Sequence, residues 1–180
     1  EQSAILELAI ELKADRFRER PFEGPKTVAV IFDKTSTRTR VSFAAGIADL
    51  GGVPLIIDSG SSQLGKKESV ADTARVLERQ VAQIIWRTYA QSGLEEMAAN
   101  SKVPVINSLS DDWHPCQLLA DMQTYFECRG DIKGKTVTWI GDGNNMCHSY
   151  IHAAMLLDFT LHIACPAEYQ PLPEFVKAGG

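Results

Sequence analysis

The sequence predicts an α/β chain built on two parallel sheets flanked by helices, the second sheet incomplete. Three observations carry this. Apolar, β-branched runs alternate with segments of helical periodicity, the pattern of strands covered on both faces by helices. A fresh strand–turn–helix–strand series begins after Gly130. That series is cut short at Ala178-Gly179-Gly180, and two strands with one helix bury too little to stand as a domain.

The elements follow in order. Ile5, Leu8, Ala9 and Leu12 share one helical face, so the chain is expected to begin inside a helix. Residues 27–33 (Thr-Val-Ala-Val-Ile-Phe-Asp) read as a strand, and Val41, Ala44, Ala45 and Ala48 mark a helix over 38–50 that Gly51-Gly52 ends. A strand at 53–58 precedes a helix over 69–80, opened by Ser69-x-x-Asp72. Next come a strand at 81–86, a helix over 94–99 with Ser92-x-x-Glu95 as its start, and a strand at 103–107. Pro115 opens a longer helix whose buried side is Leu118, Leu119, Met122, Tyr125 and Phe126, with Gly130 as its stop. Lys133-Gly134-Lys135 then leads to a strand at 136–140, a turn at 141–145, a helix over 149–157 and a strand at 160–164. The domain boundary is placed within 130–135, giving domains 1–132 and 133–180.

Composition narrows the function classes. With 180 residues and 44% hydrophobic content, the chain can bury a sizeable core. No apolar run approaches the ~20 residues of a membrane span, and no secretory pattern opens the sequence. A net charge of −5 argues against a general nucleic-acid binder. It leaves room for a small anion held by a few converging arginines. Cys116, Cys128, Cys147 and Cys165 form no C-x-x-C pair, so zinc and thioredoxin-type chemistry lack support and a reducing, cytoplasmic setting is the simplest expectation.

Four segments carry candidate chemistry. Ser36-Thr37-Arg38-Thr39-Arg40 lies between the first strand and the following helix. A turn there aims free N–H groups and the positive helix end outward, which suits phosphate. The arginines add bidentate partners. The same residues also read as an ordinary N-cap followed by solvated arginines. His114-Pro115-Cys116-Gln117 follows the fourth strand, and ligands gather at the carboxyl ends of strands in open α/β sheets. His114 and Gln117 thus either reach that crevice or merely open a helix. Arg87 ends the apolar run 81–86 at the same sheet edge, as a site residue or as a solvated arginine. The segment 61–68 (Ser-Ser-Gln-Leu-Gly-Lys-Lys-Glu) is either a loop that closes over an anion or a plain connection. Two other patterns are discounted. Gly141-x-Gly143 lacks the third glycine of a dinucleotide fingerprint, and His148 with His152 lacks the glutamate of a zinc protease. Cys147 is expected to be packed rather than reactive.

In this order, Ser-Thr-Arg-Thr-Arg, Gln-Leu-Gly-Lys-Lys-Glu-Ser, Arg87 and His-Pro-Cys-Gln resemble the carbamoyltransferases over essentially the whole chain. The turn Trp139-Ile140-Gly141-Asp142-Gly143-Asn144-Asn145, with His148-Ser149 and Gln63, resembles the ornithine branch of that family rather than the aspartate branch. The resemblance implies that carbamoyl phosphate binds first, its phosphate on Ser36, Thr37, Arg38 and Thr39, with Arg87 between phosphate and carbonyl. Thr39, Arg87 and His114 would polarise the carbonyl, and Arg38 would hold charge on the departing phosphate. Gln117 would hold the carbamoyl NH₂. Gln63 would enter from a neighbouring subunit of a catalytic trimer, and Asn145 would touch ornithine. No metal or cofactor is implied. The family's other ornithine ligands are an Asp, a Ser-Met pair and a His-Cys-Leu-Pro cysteine, all absent here, so residues 1–180 alone are expected to have negligible turnover. Putrescine or aspartate as acceptor, and a non-catalytic anion-binding module, stay open. So does the choice between biosynthetic and catabolic direction.

Overall fold

A computed structural model describes residues 2–58, 64 and 67–179. The chain divides into two compact units, one comprising Glu7–Ser110 and the other Glu1–Leu6 with Asp111–Gly180. The elements are α1 (Gln2–Ala14), β1 (Thr27–Phe32), α2 (Thr37–Asp49), β2 (Val53–Asp58), α3 (Val70–Leu77), β3 (Gln83–Arg87), α4 (Gln91–Ala99), β4 (Val105–Leu109), α5 (Pro115–Arg129), β5 (Thr136–Ile140), α6 (Asn145–Leu157), β6 (Thr160–Ala164) and α7 (Pro173–Gly179).

Within Glu7–Ser110 the strands form one parallel sheet in the order β2-β1-β3-β4. Successive side chains of a strand face opposite sides, and the two cores follow that alternation. Ala29 and Ile31 of β1 join Ile84 and Trp86 of β3 on one side, under Ala74 of α3 and Leu94 and Met97 of α4. Val28, Val30 and Phe32 join Ile85 on the other, under Ile47 and Phe43 of α2. Chain direction reverses between β1, which leads to β2 on one flank, and β3, which leads to β4 on the other. Right-handed crossovers then require α2 on one face and α3 with α4 on the other. Gly93 permits the close seat of α4, since a Cβ there would lie 3.2 Å from the Trp86 ring.

The other unit carries β5 and β6 as a parallel pair. Leu6, Leu118, Met122, Ile132, Ala153 and Phe159 form its core. The buried side of α5 is the predicted one, and Gly130 ends the helix at φ 79°.

Several expectations are corrected. Only Leu6 of α1 is buried, whereas Ile5 and Leu8 are exposed. In α2 it is Ile47 that is buried and Val41 that is exposed, because the helix turns Phe43 and Ile47 toward the sheet. Helix α4 opens at Gln91 with Ala90 as an N-cap that makes no side-chain bond, so Ser92 has no capping role. Helix α6 opens four residues earlier than expected, because Asn144 caps it by accepting from the Met146 and Cys147 amides. Strands β3 and β4 both begin two residues later than predicted and end later, β3 by one residue at Arg87 and β4 by two at Leu109.

Candidate functional site

In the Glu7–Ser110 unit, the carboxyl ends of β1 and β3 lie side by side at the reversal point of the sheet, where open α/β folds bind ligands. Phe32 pairs with Arg87 in register. The Asp33 amide donates to the Arg87 carbonyl at 2.9 Å, and the Trp86 indole donates to the Asp33 carboxylate at 2.8 Å. Arg87 is two residues beyond Ile85 and directly opposite Phe32, both members of the α2-side core. It therefore continues the row of side chains facing α2.

Ser36 is the N-cap of α2, with its Oγ accepting from the Thr39 amide at 3.4 Å and its hydroxyl donating to Thr39 Oγ1 at 2.8 Å. The capping reading is thus correct for Ser36, and it sharpens the anion-site reading. Thr37 and Arg38 fill the first two helical positions, whose amides have no intrahelical acceptor and point out along the positive end of the dipole.

The two arginines of the motif part company. Arg40 forks onto Asp58 at the end of β2, with Nη1–Oδ2 at 2.9 Å and Nη2 on Oδ1, and lies over the Phe32 ring. Arg38 is exposed and has no ion-pair partner among the described residues. Arg87 likewise pairs with no carboxylate among the described residues, and its buried Nε has no acceptor. Burial pulls the Arg87 pKa below its ordinary value, yet a guanidinium remains charged at neutral pH. A partly buried charge without a counterion is costly. The arrangement favours a phosphate-like anion at the α2 N-terminus. The expectation for Gln63 falls outside the described residues.

The second unit carries His114, Gln117 and Asn145. His114 is the N-cap of α5 without a side-chain capping bond, and its amide donates to Ser149 Oγ at 2.9 Å. Gln117 is exposed, with its amide nitrogen on Asp121 Oδ1 at 2.9 Å. Tyr150 donates to the other oxygen of that carboxylate at 3.1 Å. Asn145 is the first residue of α6, and its carbonyl accepts from Ser149 Oγ at 2.8 Å. Ser149 therefore joins two candidate residues. Sequence reasoning used it only as part of a motif, because a serine inside a helix carries no signal of a tertiary partner. His148 is buried, with Nδ1 3.1 Å from the Asp112 carbonyl and Nε2 accepting from the Leu172 amide at 3.3 Å.

Residues 1–127 match the family described as aspartate/ornithine carbamoyltransferase, carbamoyl-P binding domain, and residues 133–179 match its Asp/Orn binding domain. The chain belongs to the aspartate/ornithine carbamoyltransferase family. It is 63% identical over 172 residues to an ornithine carbamoyltransferase of Clavibacter sepedonicus, covering 95% of this chain and 56% of that one. It is 65% identical over 182 residues to one of Renibacterium salmoninarum, covering 98% and 58%. The crystal structure of ornithine carbamoyltransferase from Thermus thermophilus superposes with a TM-score of 0.92 at 38% identity, covering 99% of this chain and 62% of that one. The chain thus spans less than two thirds of the length of these members of the carbamoyltransferase family.

Proposed function

We propose that the protein transfers the carbamoyl group of carbamoyl phosphate to the δ-amine of L-ornithine, giving L-citrulline and phosphate in arginine metabolism. The observation that carries this is the meeting, at the sheet's reversal point, of the open α2 N-terminus with Arg87, whose buried Nε has no acceptor among the described residues. Ser36, Thr37, Arg38 and Thr39 would receive the phosphate, and Arg87 would bridge phosphate and carbonyl. Thr39, Arg87 and His114 would bind the carbonyl oxygen as negative charge gathers there, an effect worth ~10²–10³ in rate per donor. The amine nitrogen bonds to the carbonyl carbon, the carbon–oxygen bond to phosphate breaks, and the nitrogen gives up a proton. Gln117 would hold the carbamoyl NH₂, Asn145 the ornithine backbone groups, and Gln63 would come from a neighbouring subunit.

The acceptor rests on the motif at 139–149 and on the names of the similar proteins. A homotrimer with shared sites, a cytoplasmic setting, and a division into a carbamoyl phosphate domain (1–132) and the start of an ornithine domain (133–180) belong to the same proposal. The test is product formation by the full natural chain given carbamoyl phosphate with ornithine, putrescine or aspartate. A strong preference for ornithine is expected. Preference for another amine would move the acceptor assignment, and tight carbamoyl phosphate binding with no product would favour a binding module.

A further inference from the structure

We infer that Ser149, with His148 beside it, is a positioning residue for the site residues of the second unit, its single hydroxyl locking the backbone of His114, proposed for the carbonyl, to that of Asn145, proposed for ornithine. The inference rests on the roles proposed above for those two residues. Ser149 is 2% exposed on α6. Its Oγ accepts from the His114 amide at 2.9 Å and donates to the Asn145 carbonyl at 2.8 Å, so its one donor and one of its two lone pairs are engaged. Back-bonding of a helical serine to the carbonyl four residues earlier ordinarily weakens a helix slightly. Here it orients the oxygen lone pair toward His114.

His114 needs such a support. It sits at φ −134° and ψ 66° as an N-cap whose side chain makes no capping bond. Three consecutive residues are instead held from α6 and α7. The Asp112 carbonyl accepts from His148 Nδ1, the Trp113 ring packs edge-on against Phe175 at 4.7 Å, and the His114 amide is held by Ser149. The Leu172 amide on His148 Nε2 places the ring proton on Nδ1, so the imidazole serves as one donor and one acceptor. Phe175 stacks on the same ring at 4.1 Å. A side chain placed by its backbone in this way loses its aim when the backbone is released, and a shift of about 1 Å costs up to ~10² in rate.

The test is Ser149→Ala in the full natural chain, beside His114→Ala. The expected result is a kcat at least ~10-fold lower and a several-fold higher ornithine KM, with carbamoyl phosphate Kd within about twofold of the parent. A merely structural role would lower thermal stability and leave that split absent. If His114→Ala removes activity while Ser149→Ala leaves kcat and ornithine KM unchanged, the positioning role alone is overturned. If His114→Ala retains parental activity, the catalytic reading of His114 falls and this inference with it. Should Ser149→Ala fail to fold, hydrogen exchange of the His114 amide in the parent decides. Slow exchange is expected, and exchange at the rate of an open loop overturns the proposal.

Discussion

Arg38 and Arg40 stand two positions apart and have different fates. Arg40 is committed to Asp58, and an exposed pair of this kind adds little stability. Arg38 and Arg87 pair with no carboxylate among the described residues, and in the proposed function both would meet the phosphate. Arg87→Lys would keep the charge but lose the planar fork. It is expected to lower kcat by about 10²–10³, comparable to losing a preorganised donor. A kcat within threefold of the parent would remove Arg87 from the proposed machinery. Tyr150 offers a test of a different kind. Burial first, and then the neighbouring Asp121 carboxylate, push its phenol from the ordinary 10.0 up to about 12. Folding thus favours the neutral phenol. The resulting stability is full below pH 10 and is lost as pH rises toward 12. Tyr150→Phe should flatten that alkaline decline in urea-unfolding curves, and parallel curves for parent and variant would contradict it.

At the scale of elements, side-chain caps set the starts of α2, α3 and α6. Ser36→Ala should cost ~1 kcal/mol of stability and weaken carbamoyl phosphate binding together, because one hydroxyl orders the turn that presents the amides. Denaturant midpoints and phosphate-competition binding would read the two effects, and loss of neither would return Ser36 to an incidental role. Gly143→Ala should also destabilise, since a Cβ there would lie 2.1 Å from the Pro171 nitrogen. Overpacking of this sort costs roughly 1–3 kcal/mol. An unchanged thermal midpoint would show that the 170–171 backbone yields freely. The strands β2, β5 and β6 and the start of α5 were legible because β-branched runs and Pro115 are local signals. The start of α4 was not, because Ala90 is a cap without a capping side chain. Helix α7 was not, because seven residues are too few for a period and its seat depends on Phe175 meeting Trp113 and His148. At the site, Arg87 was readable as the end of an apolar run. Ser149 was not, since its partner His114 lies 35 residues away.

At the scale of the whole molecule, the two sets of candidate residues belong to different units of the chain. Ser36, Thr37, Arg38, Thr39 and Arg87 lie in Glu7–Ser110, and His114, Gln117 and Asn145 lie in Asp111–Gly180. Residues 1–180 alone are therefore expected to bind carbamoyl phosphate yet give negligible citrulline, because Asn145 is the sole acceptor contact proposed among them. Steady citrulline release from that piece would refute this. The packing of Leu6 bears on how the protein is made. Leu6 leaves the ribosome well before its partners, yet it is buried against Leu118, Met122, Ile132, Ala153 and Phe159. At 5–20 residues per second, about 8–30 s separate its synthesis from that of Phe159. During that interval the set of partners around Leu6 is incomplete, and a chaperone that shields nascent apolar segments would find a target there.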